Sequence, residues 1–342
     1  MLQNNTESEK KMKNTIKGTN PIKKFFTENQ SSLIVMIALV IFLSVNPITG
    51  QSFLQLKNVQ NIFRQISTNV ILACGMTMVI ILGGIDLSVG SIMAISGCLA
   101  AGCVINHSMP VFLAMLIGVL VGTCFGIFNG FIISNTSIQP FIVTLTTMNI
   151  ARGLAKVYTG GSPLSVSLDS WKLLGTGYFL GIPIVVWIMA IILLLTALLM
   201  YRTKFGRYLY AVGDNTNAAI YTGISAKKVK FIVYVISGTC AGISGMLIAS
   251  RMYTGTPNAG EAAEMDAIAA VVLGGTAMSG GSGRIGGTFI GCIIMGLIST
   301  GLNLMHIDTL WQDVIKGIVI IIAVYIDYIK VKNRIKNKHH RR

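Results

Sequence analysis

The chain has 342 residues, of which 53% are hydrophobic and only 11% are charged, and its mean hydropathy is +0.70. An ordinary soluble domain carries roughly 25% charged residues, because its surface must be covered with polar groups. The composition therefore excludes a cytosolic enzyme, a disordered chain and a disulfide-rich secreted domain. It indicates a multi-spanning membrane protein.

The net charge of +15 is concentrated in three clusters. Six lysines lie in the first 24 residues, six basic residues lie between Arg202 and Lys230, and seven follow Ile329. Each cluster adjoins apolar runs, where basic residues set the topology of membrane proteins. Because no basic stripe alternates with aromatic residues in a polar domain, we do not expect nucleic-acid binding.

Ten apolar runs approach the roughly 20 residues that a membrane-spanning helix needs. They predict an all-α integral membrane protein with spans near 31–47, 66–84, 88–106, 110–134, 138–157, 181–201, 229–250, 265–281, 284–304 and 309–328. The run 138–157 is rich in Thr, and the run 265–281 is short and rich in Gly, so these two are the weakest.

An even number of spans leaves both ends of the chain on the same side of the membrane. With the basic tails 1–30 and 329–342 in the cytoplasm, the basic loop 202–230 is also cytoplasmic, as the positive-inside rule requires. We therefore expect one transmembrane domain over 31–328, with two cytoplasmic tails. The basic N-terminal tail is also expected to be attracted to membrane lipid.

Residues 57–66 carry apolar side chains at helical spacing and polar ones on the other face. Two interpretations are open. The segment is either a short helix on the outer membrane surface or the first turns of the second span.

Glycines recur every fourth residue in the fourth run, at Gly118, Gly122, Gly126 and Gly130. Residues four apart share one face of a helix, so these glycines form a smooth stripe. Small residues let helices approach closely in lipid, where no hydrophobic effect drives helices together. The stripe predicts close packing against another helix, which we favour over a flexible hinge.

Two distant segments share the pattern L-G-G-x-x-x-S-x-G, namely LGGIDLSVG at 82–90 and LGGTAMSGG at 273–281. Each follows one apolar run and precedes another. Internal repeats with broken helices at equivalent positions are common in transporters. We therefore predict an internal repeat with helix breaks that are candidates for gating. The break residues are Gly83, Gly84, Asp86, Ser88, Gly274 and Gly275.

The loop GDNTNAAIYTGIS at 213–225 has the residues of a short capped helix. Asp214 or Asn215 can be its N-cap, Gly223 suits the position after its C-terminus, and Ser225 can cap the next helix. On the cytoplasmic side, such a helix could dock into a partner. An ordered connecting loop explains the residues equally well.

Charged residues within apolar runs are costly in lipid and therefore informative. Asp313 and Lys316 are three residues apart and can pair on one helix face, or Lys316 can extend to the membrane surface. Asp86 is a candidate cap for the third helix. No G-x-x-x-x-G-K-[ST] sequence is present, so the chain lacks the usual ATP-binding loop.

Four long motifs identify a resemblance. They are MTMVIILGGIDLSVGS at 76–91, YTGGSPLS at 158–165, FGRYLYAVGDNTNAA at 205–219 and MDAIAAVVLGGTAMSGGSGRIGGTFIG at 265–291. With them the chain resembles, from about residue 30 onwards, the membrane permease subunits of bacterial ABC importers for monosaccharides.

The resemblance implies the permease fold of these importers in the bacterial cytoplasmic membrane. It implies a second copy of the permease, a cytoplasmic ATPase that holds ATP and Mg²⁺, and an extracytoplasmic sugar-binding protein; the chain itself carries no cofactor, metal or catalytic site. Ribose is the implied sugar, with galactose, xylose or a related furanose as alternatives. The resemblance also implies an ATPase-coupling segment, which comprises Asp214, Asn215, Asn217, Ala218, Ala219 and Gly223.

A stand-alone secondary carrier is the competing class of transporter. A proton-coupled carrier often needs a chain of carboxylates through its spans, and the sequence shows no such chain. No group of side chains in the sequence points to a sugar-binding site, so no substrate residue is assigned.

Overall fold

The computed structural model describes residues 29–308, 310–319, 321, 322 and 325. Residues 1–28 of the predicted N-terminal tail and the whole predicted tail 329–342 lie outside the described residues. Within the described part of the chain, six helices are long and apolar enough to cross a membrane. They are α3 (Leu56–Ile81), α4 (Val89–His107), α5 (Val111–Asn135), α8 (Ile184–Arg202), α11 (Ala226–Met252) and α13 (Ile285–Leu304). The prediction of a helical multi-spanning membrane protein is confirmed.

The remaining predicted spans coincide with shorter or more polar helices. They are α1 (Gln30–Val45), α6 (Pro140–Thr159) and α12 (Ala263–Leu273), and residues 310–319 are also helical. The weak run 265–281 is not one continuous helix, because α12 ends at Leu273 after 11 residues and is followed by the glycine pair Gly274–Gly275. At 1.5 Å per residue, α12 covers only about half of a bilayer core of about 30 Å.

The amphipathic segment 57–66 belongs to α3, which runs without interruption from Leu56 to Ile81. Of the two interpretations that the sequence left open, the structure therefore has the first turns of the second span. Its apolar face carries Ile62 and Ile66, both of which are buried.

Short elements connect the long helices. They are α2 (Gly50–Phe53), β1 (Leu164–Ser165), α7 (Asp169–Thr176), β2 (Tyr178–Phe179), β3 (Ile182–Pro183), α9 (Lys204–Asp214), α10 (Thr216–Tyr221) and β4 (Thr254–Gly255). The strands form two antiparallel pairs, β1 with β4 and β2 with β3.

The centre of the molecule is α3, whose residues from Val70 to Ile81 are all buried. α11 packs against α3, α4 and α5. By contrast, most residues of α5 and α8 are not buried, and both helices expose large apolar side chains such as Phe131 and Leu194. Such faces are stable against lipid tails, so the exposed faces of α5 and α8 indicate the lipid-facing perimeter.

Candidate functional site

The first Gly–Gly segment, residues 82–90, begins where α3 ends. Gly83 has a φ of +76°, which glycine adopts without the steric penalty of a side chain. The Gly83 N–H donates to the carbonyl of Ile80 at 2.8 Å, and the Gly84 N–H donates to that of Val79 at 3.1 Å. These two bonds form the Schellman termination of a helix, so the glycine pair ends α3.

The carboxylate of Asp86 lies in this segment and is 1% exposed. It accepts hydrogen bonds from the Ser88 N–H at 3.0 Å, from the Ser88 hydroxyl at 2.5 Å and from the Ser237 hydroxyl of α11 at 2.8 Å. The N-cap of α4 is Ser88, whose own side chain makes no capping bond. The expectation that Asp86 caps this helix is therefore corrected, because its carboxylate holds the N-cap residue.

The hydrogen bonds continue from Ser88 to two further helices. Asn129 on α5 donates from Nδ2 to the Ser88 hydroxyl at 3.0 Å, and its Oδ1 accepts from the Thr147 hydroxyl of α6 at 2.6 Å. All of these side chains are buried. A buried carboxyl group without partners would be costly, so these hydrogen bonds offset part of the cost of burial and hold the first Gly–Gly segment against three helices.

Sequence reasoning missed the other members of the network around Asp86. Asn129 and Ser237 are polar residues within apolar runs, and Thr147 is one of several threonines in its run. A polar residue in an apolar run does not by itself indicate a distant partner, because a Ser or Thr hydroxyl in a helix can bond to the carbonyl four residues earlier. Tyr234, whose hydroxyl lies against Gly84, was likewise not identified.

The second Gly–Gly segment, residues 273–281, ends α12 by the same pair of bonds. Gly275 has a φ of +86°, its N–H donates to the Val272 carbonyl at 2.8 Å, and the Thr276 N–H donates to the Val271 carbonyl at 3.2 Å. The left-handed glycine is the second of the pair here and the first in the other segment. The two helix ends are thus alike but displaced by one residue.

The two Gly–Gly segments meet in the folded protein. The N–H of Gly281 donates to the carbonyl of Ile81, the last residue of α3, at 2.9 Å. A Cβ on Gly280 would lie 3.1 Å from the backbone nitrogen of Gly83. The far end of the second Gly–Gly segment therefore lies against the end of α3 and Gly83, whereas a Cβ on Gly274 would meet the backbone of Gly287 on α13.

The predicted coupling segment contains the short helix α10. Asn215 is its N-cap, and its Oδ1 accepts from the Ala218 N–H at 3.0 Å. Gly223, two residues beyond the helix, has a φ of +84°, and the Ser225 hydroxyl caps α11. The prediction of a short capped helix is confirmed. Asp214 is the last residue of α9 and not a cap.

The two alanines of α10 differ in exposure. Ala218 is exposed, whereas Ala219 is 4% exposed and packs into the protein. The resemblance includes both in the coupling segment, and of the two only Ala218 lies on the exposed side of α10. The exposed surface instead carries Ala218, Asn217, Ile220 and Tyr221, and Tyr221 is 90% exposed.

The glycine stripe of α5 lies against α11. A Cβ on Gly122 would lie 2.6 Å from the backbone carbonyl oxygen of Gly238, and one on Gly126 would lie 2.6 Å from the backbone carbonyl oxygen of Tyr234. A Cβ on Gly130 would lie 2.8 Å from the backbone carbonyl oxygen of Phe231, and one on Gly118 would meet the Met246 sulfur. The backbones of the two helices are therefore too close for a side chain at Gly122, Gly126 or Gly130.

Lys316 forms an ion pair that the sequence did not identify. Its Nζ lies 3.2 Å from Oδ2 of Asp266 on α12, and both side chains are largely buried. The expected pair of Lys316 with Asp313 is replaced by this one, because residues 310–319 lie beside α12 in the fold. No group of three or more His, Cys, Asp or Glu side chains in the described part of the chain could hold a metal ion.

Comparison with known proteins shows the family to which the chain belongs. Residues 58–324 match the family described as "Branched-chain amino acid transport system / permease component". The chain is 41% identical to the ribose import permease protein of Haemophilus influenzae over 90% of this chain and 94% of that protein. It is 44% identical to the ribose import permease protein of Bacillus subtilis, over 85% and 91% of the two chains.

A third relative has a different substrate in its name. The chain is 38% identical to the D-allose transport system permease protein of Escherichia coli, over 89% of this chain and 92% of that protein. No significant match to a solved structure was found.

Proposed function

The chain belongs to the family of branched-chain amino acid transport system permease components, and on that premise we propose that it is the membrane permease subunit of an ATP-driven importer of ribose. The observation that carries this proposal is the identity of 39–44% to ribose import permeases of three bacterial species over most of both chains. The permease of D-allose is less similar, at 38%, and that of L-arabinose less again, at 35%.

The transporter would contain two copies of this chain, two cytoplasmic ATPase subunits and an extracytoplasmic sugar-binding protein. ATP and Mg²⁺ would bind to the ATPase subunits, whereas the permease would supply the path for the sugar. A ribose molecule carries several hydroxyls and no charge, so a pathway that binds it weakly and releases it is sufficient. Strong selection would then lie with the binding protein.

The docking surface for the ATPase would be the exposed side of α10. Ile220 and Tyr221 are large apolar side chains that are 53% and 90% exposed. The exposed bases Lys204, Arg207, Lys227 and Lys228 flank α10 in sequence. Apolar side chains within a polar rim are typical of protein interfaces, which supports docking over the interpretation of α10 as a simple connection.

We propose ten crossings of the bacterial cytoplasmic membrane, with both ends of the chain in the cytoplasm. Six helices of sufficient length and the basic clusters support this arrangement. In the crossing near 265–281, α12 would enter the membrane and the second Gly–Gly segment would complete it. The similar terminations of α3 and α12 support an internal repeat.

The proposed function is tested by reconstitution in lipid vesicles of the permease with its ATPase and binding protein. We expect ribose to enter only when ATP is present and to stimulate ATP hydrolysis. Uptake in vesicles that lack the ATPase would instead support a secondary carrier. Preference for D-allose, galactose or xylose over ribose, with the matching binding protein, would contradict the proposed substrate.

A further inference from the structure

The carbonyl of Ile81 lies at the end of α3, where backbone carbonyls have no partner within the helix. It accepts its hydrogen bond from the Gly281 N–H, in a segment 200 residues later in the chain. The end of α3 is thus tied through backbone atoms to the second Gly–Gly segment.

The helix that precedes the coupling segment approaches this same bond. On α9, a Cβ at Gly213 would collide with the Ile81 carbonyl oxygen and would lie 3.0 Å from the Gly281 nitrogen. A Cβ at Gly281 would in turn lie 2.8 Å from the Cα of Asp214. Three chain segments therefore meet here without any side chain between them.

Two tyrosines hold the next residues of the chain. The Tyr210 hydroxyl of α9 donates to the Gly283 carbonyl at 2.8 Å, and the Ile285 N–H donates to the Tyr201 hydroxyl of α8 at 3.1 Å. Burial raises the pKa of the Tyr210 hydroxyl, so it remains a donor at neutral pH. The segment between α12 and α13 is thereby bound to α8 and α9 at successive positions.

We propose that Tyr210 and Gly213 are positioning residues that transmit a displacement of α9 to both Gly–Gly segments. The proposal rests on the proposed function, since the displacement would come from an ATPase docked on α10. Asn215 is both the C-cap of α9 and the N-cap of α10, so no flexible linker separates these helices. Backbone contacts in close-packed regions deform little, so a shift of α9 moves Gly281 and the end of α3 together.

The first test compares Tyr210→Phe with Tyr208→Phe in the reconstituted transporter. Tyr208 is on the same helix but 41% exposed, so it is a matched control. We expect Tyr210→Phe to keep ATPase binding and ATP hydrolysis while ribose uptake per ATP falls about fivefold, as the loss of one hydrogen bond allows. An unchanged ratio of uptake to hydrolysis would overturn the proposal, as would a parallel loss of ATPase binding.

The second test uses the full-length permease alone, in detergent, and does not depend on the identity of the partner. Gly213→Ala should speed amide hydrogen exchange in residues 274–284, because the new methyl group displaces the Ile81–Gly281 bond. Gly153→Ala is the matched control, since no atom lies within 4 Å of a Cβ at this helical glycine. Tyr210→Phe should have the same effect as Gly213→Ala, which guards against a folding defect of the glycine variant.

Unchanged amide exchange in both Tyr210→Phe and Gly213→Ala would show that α9 does not hold the second Gly–Gly segment. The proposed transmission from α9 to the two Gly–Gly segments would then be wrong. Suppose that exchange becomes faster in these variants, but the permease neither binds an ATPase nor imports sugar in its presence. That result would contradict the proposed function, while the link between α9 and the second Gly–Gly segment would stand. The two failures are therefore distinguishable.

Discussion

The hydroxyl of Ser237 donates a hydrogen bond of 2.8 Å to Oδ2 of Asp86, although the two residues are 151 positions apart. This bond joins the long helix α11 to the first Gly–Gly segment. Because Asp86 is 1% exposed, its carboxylate depends on such donors in place of water. The helix break is therefore held by hydrogen bonds to the packed helices around it.

Replacement of Asp86 by Ala should destabilise the permease strongly, because Ser88 and Ser237 each lose a buried acceptor. Each unsatisfied group costs about 1–3 kcal/mol. We expect a clearly lower thermal midpoint in detergent, measured by the fraction of monodisperse protein after heating. Asp169→Ala is the control, since the Asp169 side chain is 98% exposed, and it should change the midpoint little. Equal midpoints for both variants would contradict the role of the network.

Replacement of Gly122 by Leu should prevent α5 from packing against α11, since a Cβ already meets the backbone of Gly238 and Gly242 at 2.6 Å. We expect much less folded protein in the membrane, measured by size-exclusion chromatography of a fluorescent fusion. Gly153→Leu adds the same side chain at an exposed helical position with open space and should be tolerated. Normal folding of the Gly122 variant would exclude tight packing at this stripe.

Replacement of Lys316 by Met should lower thermal stability, because it leaves the largely buried Asp266 without its cation. Loss of one partner of a buried pair costs more than loss of both, and can reach about 3–5 kcal/mol when the site is fully buried. The double variant Lys316→Met/Asp266→Asn should therefore recover part of the lost midpoint. A double variant less stable than the single one would argue against direct pairing.

Replacement of Ala218 by Glu should weaken binding of the ATPase without changing insertion of the permease. The residue is exposed on α10, so a larger, charged side chain meets the partner and not the protein's own core. Ala218→Ser is the small-side-chain control and should bind normally. Co-purification of the ATPase with each variant measures the effect, and full binding with Glu at this position would require another docking surface.

Single cysteines should report the orientation of the chain in whole cells. An impermeant maleimide should not label cysteine at positions 5, 217 or 338, because the proposed topology places these residues in the cytoplasm. Leu180→Cys should be labelled, since Leu180 is 78% exposed in the connection that precedes α8 and would face outward. Labelling of the native chain, which has cysteines of its own, gives the background. Strong labelling at position 5 or 338 would show that this end of the chain lies outside the cytoplasm.

Much of the local structure followed from the sequence because its causes are local. Asn215 caps α10 by bonding a backbone N–H three residues away, and a glycine pair ends each of α3 and α12 within one turn. The four-residue period of the α5 glycines likewise defined a packing face before its partner was known. Interactions of this range depend on residue type and spacing, and both can be read from the chain.

The contacts between distant segments required the tertiary structure. Spacing suggested that Lys316 pairs with Asp313, whereas the fold brings Asp266 to 3.2 Å. Nothing near Asp86 in sequence indicates Ser237, and nothing near Gly213 indicates the end of α3. An apolar run specifies burial in lipid but not which neighbouring helix it contacts, since lipid and protein interiors are similarly apolar. The sequence alone therefore determined the class of protein, most of its helices and the caps of α10 and α11, while the packing of the helices decided which polar groups became partners.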